Sequence, residues 1–143
     1  MRITQGNTQA GIAAIEFILV LPVLLILMVS LSEIGSIFIK YNTLNKLTQS
    51  GCRYAVIHIY GTATTNQIAD INKIKNVILY GNDLGSGAIK LDSLTADNIM
   101  IEHVDHFVTV TVSYDYIPFI ERIPFFDIPL TLTISATSMM RTG

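Results

Sequence analysis

At 143 residues the chain can hold one modest domain and one anchor, but not a second sizeable domain. Half of it is hydrophobic and only 14% is charged, with a mean hydropathy of +0.51, which is too apolar for an ordinary soluble domain, where about a quarter of residues are charged. A formal net charge of −2 gives no basis for nucleic-acid binding, and a single cysteine, Cys52, excludes an intramolecular disulfide.

Residues 1–11 (MRITQGNTQAG) are a short polar leader with one Arg and no acid. Residues 12–39 are almost continuously apolar. As a helix they would run about 42 Å, more than the roughly 30 Å of a hydrocarbon core. The charge-free part, 17–32, covers about 24 Å and is bounded by Glu16 and Glu33. A charge at the centre of a bilayer costs about 3 kcal/mol on insertion scales, so these two intramembrane acids belong near an interface, in a pair, or in a function. Pro22 has no N–H and is expected to loosen or kink the helix around residues 18–22.

Beyond the span, Ile37, Tyr41, Leu44, Leu47, Gly51 and then Tyr54 or Ala55 recur at three and four residues, with Lys40, Asn45, Lys46, Gln49 and Arg53 between them. This spacing predicts an amphipathic continuation over 40–60, ending near Gly61. Cys52 lies within it and reads as a small buried hydrophobe rather than an intermolecular bridge. After a polar linker at 62–66, Ile68, Ile71, Ile74 and Ile78 predict a second amphipathic helix over 66–80, stopped by the turn-rich stretch 81–87. Residues 88–97 are weakly patterned, and Ile89 and Leu91 suit a short strand.

From residue 98 the period changes to two. Ile99, Ile101 and His103 alternate with Asn98, Met100 and Glu102. Val108, Val110, Val112, Tyr114 and Tyr116 form a second row, and Leu130, Leu132, Ile134 and Ala136 a third. These are strands with one apolar face, which predicts an antiparallel sheet within 98–140 packed on a helix. The Val104-Asp105-His106 link makes the first two a hairpin. Residues 117–129 (IPFIERIPFFDIP) contain Pro118, Pro124 and Pro129, which forbid a regular element, yet the stretch is apolar and is expected to pack onto something.

Reactive chemistry is sparse. His103 and His106 beside Glu102 and Asp105 form the one cluster with metal-ligand chemistry, but strand alternation sends Glu102 and His103 to opposite faces, so no metal site is expected. The chain lacks G-x-S-x-G, Walker A, H-E-x-x-H and C-x-x-C patterns, and 81–90 lacks phosphate-loop spacing. No catalytic residue and no cofactor are expected.

The N-terminus supports three readings. Cleavage near Ser32, after the apolar run, would release a small secreted binding module starting at Glu33, but it leaves Glu16 without a role. An uncleaved anchor from Met1 would tether an enzyme or sensor. Cleavage between Gly11 and Ile12 instead makes Glu16 the fifth residue of the mature chain. The new amine of one chain can then meet the Glu16 carboxylate of a parallel neighbour, and in low dielectric that contact fixes the axial stagger.

The stretch GIAAIEFILVLP closely resembles the type III prepilin signal, and more specifically that of TadE-like minor pseudopilins of the tight-adherence (Flp, type IVb/IVc) pilus system. Gly11, Glu16, Phe17, Leu21, Pro22, Glu33 and Gly35 match that pattern. Residues 51–56 (GCRYAV) are similar to the family's Gly-Ala-Arg-Tyr-Ala, and residues 136–141 also match. Ser36 and Cys52 depart from it, standing where Arg and Ala are common. The resemblance implies a pilin-like α+β fold: a long N-terminal helix, transmembrane then amphipathic, and a short second helix packed on a three- to four-stranded antiparallel sheet. It implies a leader at 1–11, a span at 12–39 and a periplasmic domain at 40–143.

The resemblance further implies a non-enzymatic assembly subunit that a prepilin peptidase cuts at Gly11–Ile12. The subunit would help initiate, tip or assemble a pilus for adhesion. Its implied partners are the peptidase, other major and minor pilin subunits, and an inner-membrane assembly platform. The implied location is the bacterial inner membrane, single-pass with the C-terminal domain periplasmic, or the cell exterior within a pilus. One bias points the other way: only Arg2 precedes the span, whereas Lys40, Lys46 and Arg53 follow it, although long domains translocate largely regardless of charge.

Overall fold

The apolar run and its amphipathic continuation form one helix, α1 (Thr8–Ile57), in a computed structural model that describes residues 8–59, 68–119 and 131–142. The chain divides into two compact units, Met1–Ser36 and Ile37–Gly143. In the first unit the apolar side chains of α1 are exposed all round, Ile12, Leu19 and Met28 among them. Within it the Ser30 Oγ donates to the Ile26 carbonyl at 2.8 Å. A helix hydrophobic on every side with its hydrogen bonds closed internally is the form a chain takes when its solvent is lipid. Pro22 lies inside this stretch and the helix continues through it. α1 is long and apolar enough to cross a membrane and is compatible with a single-pass anchor.

In the second unit α1 becomes one-sided, as the spacing predicts. Leu44, Thr48, Cys52 and Ala55 are buried, while Lys46, Gln49 and Arg53 face outward. Thr48 is accommodated in the core because its hydroxyl donates to the Leu44 carbonyl at 2.8 Å. The helix ends at Ile57, a few residues short of the predicted end near Gly61; residues 60–67, which include the expected linker, lie outside those described.

Helix α2 (Ile71–Tyr80) is shorter than the 66–80 expected from its isoleucines. Asp70 decides its start: the carboxylate accepts from the backbone N–H groups of Asn72 at 2.8 Å and Lys73 at 3.3 Å, a cap that fixes Ile71 as the first helical residue. Ile68 shares the period but precedes the cap, and Ala69 N–H bonds instead to the Ala55 carbonyl at 3.0 Å. Gly81 closes the helix at φ +80°, a left-handed conformation that disfavours any residue with a Cβ, and donates to Val77.

The stretch 88–97 is not a strand, contrary to the expectation for Ile89 and Leu91. Gly85, Gly87 and Ser93 all adopt positive φ, which coils the chain so that Leu91 and Leu94 both turn into the core while Ile89 stays outside. A short 3-10 turn (Ala96–Asn98) follows; Asn98 Oδ1 accepts from both the Thr95 N–H and the Thr95 hydroxyl, so the first strand begins at Ile99 rather than at Asn98.

The sheet contains β1 (Ile99–Val104), β2 (Phe107–Tyr116) and β3 (Leu132–Arg141), antiparallel in the order β1-β2-β3. Asp105 and His106 both take positive φ, the geometry of a two-residue hairpin turn whose twist matches that of the strands. The alternation in β2 is as read: Val108, Val110, Val112, Tyr114 and Tyr116 are buried. Val112 pairs with Ile99 on one side and Ala136 on the other, which fixes the register of all three strands. The core joins one sheet face to α1 and α2 through Leu44, Cys52, Ile74, Ile78 and the β2 valines. The protein is therefore α+β, with three strands among the described residues. Most of the proline-rich connection, residues 120–129, lies outside them.

Candidate functional site

The candidate processing and assembly residues all lie on α1. Thr8 is the first helical residue, so Gly11 ends the opening turn, where backbone N–H groups have no partner four residues back. Gly11 and Ile12 are exposed, and a Cβ on Gly11 would meet nothing within 4 Å. Glu16 lies four positions beyond Ile12, about 6 Å along the axis, and is also exposed. Glu33 is half-buried, 17 positions and about 26 Å from Glu16. The helix therefore does not bring the two carboxylates together. It sets them apart by a little less than the thickness of a hydrocarbon core.

Gly51 differs from Gly11 in a way the sequence does not show. A Cβ there would collide with Ile78 Cγ1 and Cδ1 of α2, so glycine lets the two helices meet closely. Cys52 and Ala55 are fully buried on the same side, and Arg53 points outward. Cys52 Sγ lies 3.5 Å from the carbonyls of both Val108 and Ser138, and burial raises the thiol pKa. The GCRYA run is thus the point where α1 receives both α2 and the sheet, and it calls for small residues at three positions.

Lys40 forms a second contact point that the sequence does not reveal. Its Nζ lies 4.8 Å from the Tyr116 ring centroid and 5.7 Å from that of Tyr114, a cation–π clasp between α1 and the end of β2. The only local signal is a lysine closing the apolar run; its tyrosine partners are more than seventy positions away. At the other end of this helical segment, the Tyr54 ring stacks on His58 with centroids 4.1 Å apart, and its hydroxyl donates to Asp83 at 3.3 Å. His103 Nε2 faces the Thr142 hydroxyl at 3.5 Å. Among the described residues no group of three or more His, Cys, Asp or Glu gathers as a metal site would require.

Compared with known proteins, residues 11–53 match the model of the TadE-like protein family. No curated protein and no solved structure matches the chain. The matched segment opens at Gly11, contains Glu16, Pro22, Glu33 and Gly35, and closes at Arg53 within the GCRYA run. Over residues 11–53, less than a third of the chain, the sequence is similar to the TadE-like protein family.

Proposed function

We propose that this protein is a minor pilin or pseudopilin, a structural and non-enzymatic subunit of a Tad-type pilus. A prepilin peptidase cuts it between Gly11 and Ile12, and other pilin subunits and the inner-membrane assembly platform then receive it. The observation that carries the reading is the TadE-like match, which begins at Gly11 and takes in Glu16.

The packing around the glycines supports it. In a helix, glycine is less favourable than alanine by about 1 kcal/mol. Gly51 offsets that cost by admitting Ile78, but Gly11 has open space around it among the described residues. A glycine that the fold does not need fits a residue read by a peptidase. Glu16 likewise has a purpose only in an assembly, where its carboxylate meets the new Ile12 amine of a neighbouring chain in the membrane and sets the stagger. The C-terminal domain lies in the periplasm in this reading, and outside the cell once a pilus carries it. Pro22 loosens the helix for its passage from lipid into the filament.

The Glu16→Ala variant tests the reading. It should insert and lose its leader as the parent does, while pili visible by electron microscopy, or recoverable by shearing, fall about tenfold or more, given the strength of a desolvated ion pair. Full piliation in that variant would remove Glu16 from assembly.

A further inference from the structure

The two outer edges of the sheet differ. β3 pairs with β2 through ten consecutive residues without a bulge, and its other edge has no strand beside it among the described residues. From Leu132 to Met140 it has neither a charged residue nor a proline, the devices that keep foreign strands off an exposed edge. β1, at the opposite edge, is six residues long and carries Glu102. Glu102 and Met139 both pair with Thr109, so Glu102 shares the outer face of the sheet with Met139 and, two residues on, Arg141. Glu102 and Arg141 are exposed. One edge thus carries an anion and the other a cation, on the same face and at the same end.

The edges also match in direction. β1 and β3 flank the antiparallel β2 and therefore run the same way. Ile99 and Ala136 both pair with Val112, so β1 is level with residues 136–141. A second copy set beside the first in the same orientation brings its β1 to β3 as a parallel strand. Its Ile99 then lies beside Ala136 on the core side, and its Met100 beside Thr137 on the outer side. Arg141 falls beside Val104 of that copy, between Glu102 and Asp105.

The geometry points to head-to-tail pairing between copies of this chain, β3 of one with β1 of the next, with Arg141 held by the acids of the neighbour's β1 end. The inference rests on reading the chain as a pilus subunit, because subunits of a filament share one orientation. Charge then selects the arrangement. Two β3 edges side by side in that orientation would set Arg141 against Arg141, and two β1 edges Glu102 against Glu102, and like charges directly opposite destabilise a strand pair. Only β3 against β1 joins opposite charges. Glu102 in this way repels unsuitable strands and admits the one that ends in a cation. A head-to-tail contact also leaves one edge open at each end, so further copies can add to it.

Cysteine cross-linking of the full chain tests this. In a Cys52→Ala background, Met100→Cys and Thr137→Cys put one thiol on each edge. Both residues pair with Thr111, so within one chain they lie two strand spacings apart, roughly 10 Å, which is too far for a disulfide. The two variants are produced together in cells that assemble the pilus, then oxidised. A cross-linked pair containing one of each is expected, and neither variant alone should form it. Arg141→Glu on the Thr137→Cys copy should lower the yield about fivefold, and Glu102→Arg on the other copy should restore it. Thr137→Cys cross-linking to itself would show β3 pairing with its own kind and would overturn the proposal. So would the absence of any cross-link, or a Thr137→Cys thiol closed to maleimide in detergent-dispersed monomer, which would show the edge covered within the chain. Intact mass of the same samples reads leader removal at Gly11. A chain that is processed but not cross-linked loses the edge pairing alone. A chain that keeps its leader beside an active prepilin peptidase loses the subunit reading, and the edge pairing with it.

Discussion

At the residue scale, two adjacent positions in the GCRYA run show how a short pattern can encode packing. Gly51 must be small because Ile78 occupies the space a Cβ would fill. Gly51→Ala should therefore destabilise the second unit by about 1–3 kcal/mol through overpacking, despite the better helix propensity of alanine. Gly35 has open space around it, so Gly35→Ala should leave thermal stability unchanged or slightly raised. Melting the two variants side by side in detergent checks the contrast. Cys52 is equally enclosed. Its thiol should resist maleimide at pH 8 until denaturant is added, because burial disfavours the thiolate. With its folded pKa raised above the ordinary value near 9.0, the neutral thiol contributes fully below that pH, and stability should fall as pH rises above it. Cys52→Ala removes that alkaline loss and keeps a small side chain at the helix–sheet contact.

At the element scale, legibility followed the reach of each signal. The apolar run and the alternation of β2 are repeated over many residues and appear as the pattern predicts, while the stripe of α1 is buried along Leu44, Thr48, Cys52 and Ala55 and leaves Tyr41 exposed. The hairpin was legible because its turn is only two residues long. The start of α2 was not, because Ile68 extends the isoleucine period and only the cap at Asp70 interrupts it. Asp70→Ala should cost about 1 kcal/mol, a drop of about 4–8 °C in melting temperature for a unit of this size. Residues 88–97 misled for a different reason. Leu91 and Leu94 are buried by a coil of positive-φ residues, which has no period to read.

At the scale of the whole molecule, the candidate processing residues were legible from the leader motif, but the contacts that shape the folded unit were not. Gly11, Ile12 and Glu16 stand out by order along the chain, and all three are exposed on α1. The meeting of Gly51 with Ile78, and of Lys40 with Tyr114 and Tyr116, depends on which elements the fold brings together, and residue types alone do not carry that. These features fit the proposed subunit, an apolar helix and an α+β unit, in which Gly11 and Glu16 are proposed to serve the assembly rather than the fold.

The most direct test is the N-terminal sequence and intact mass of the protein from membranes of cells with and without a prepilin peptidase. A mature chain beginning at Ile12 only where the peptidase is present is the predicted result. A chain beginning at Glu33, or one retaining Met1 in both strains, would contradict the account.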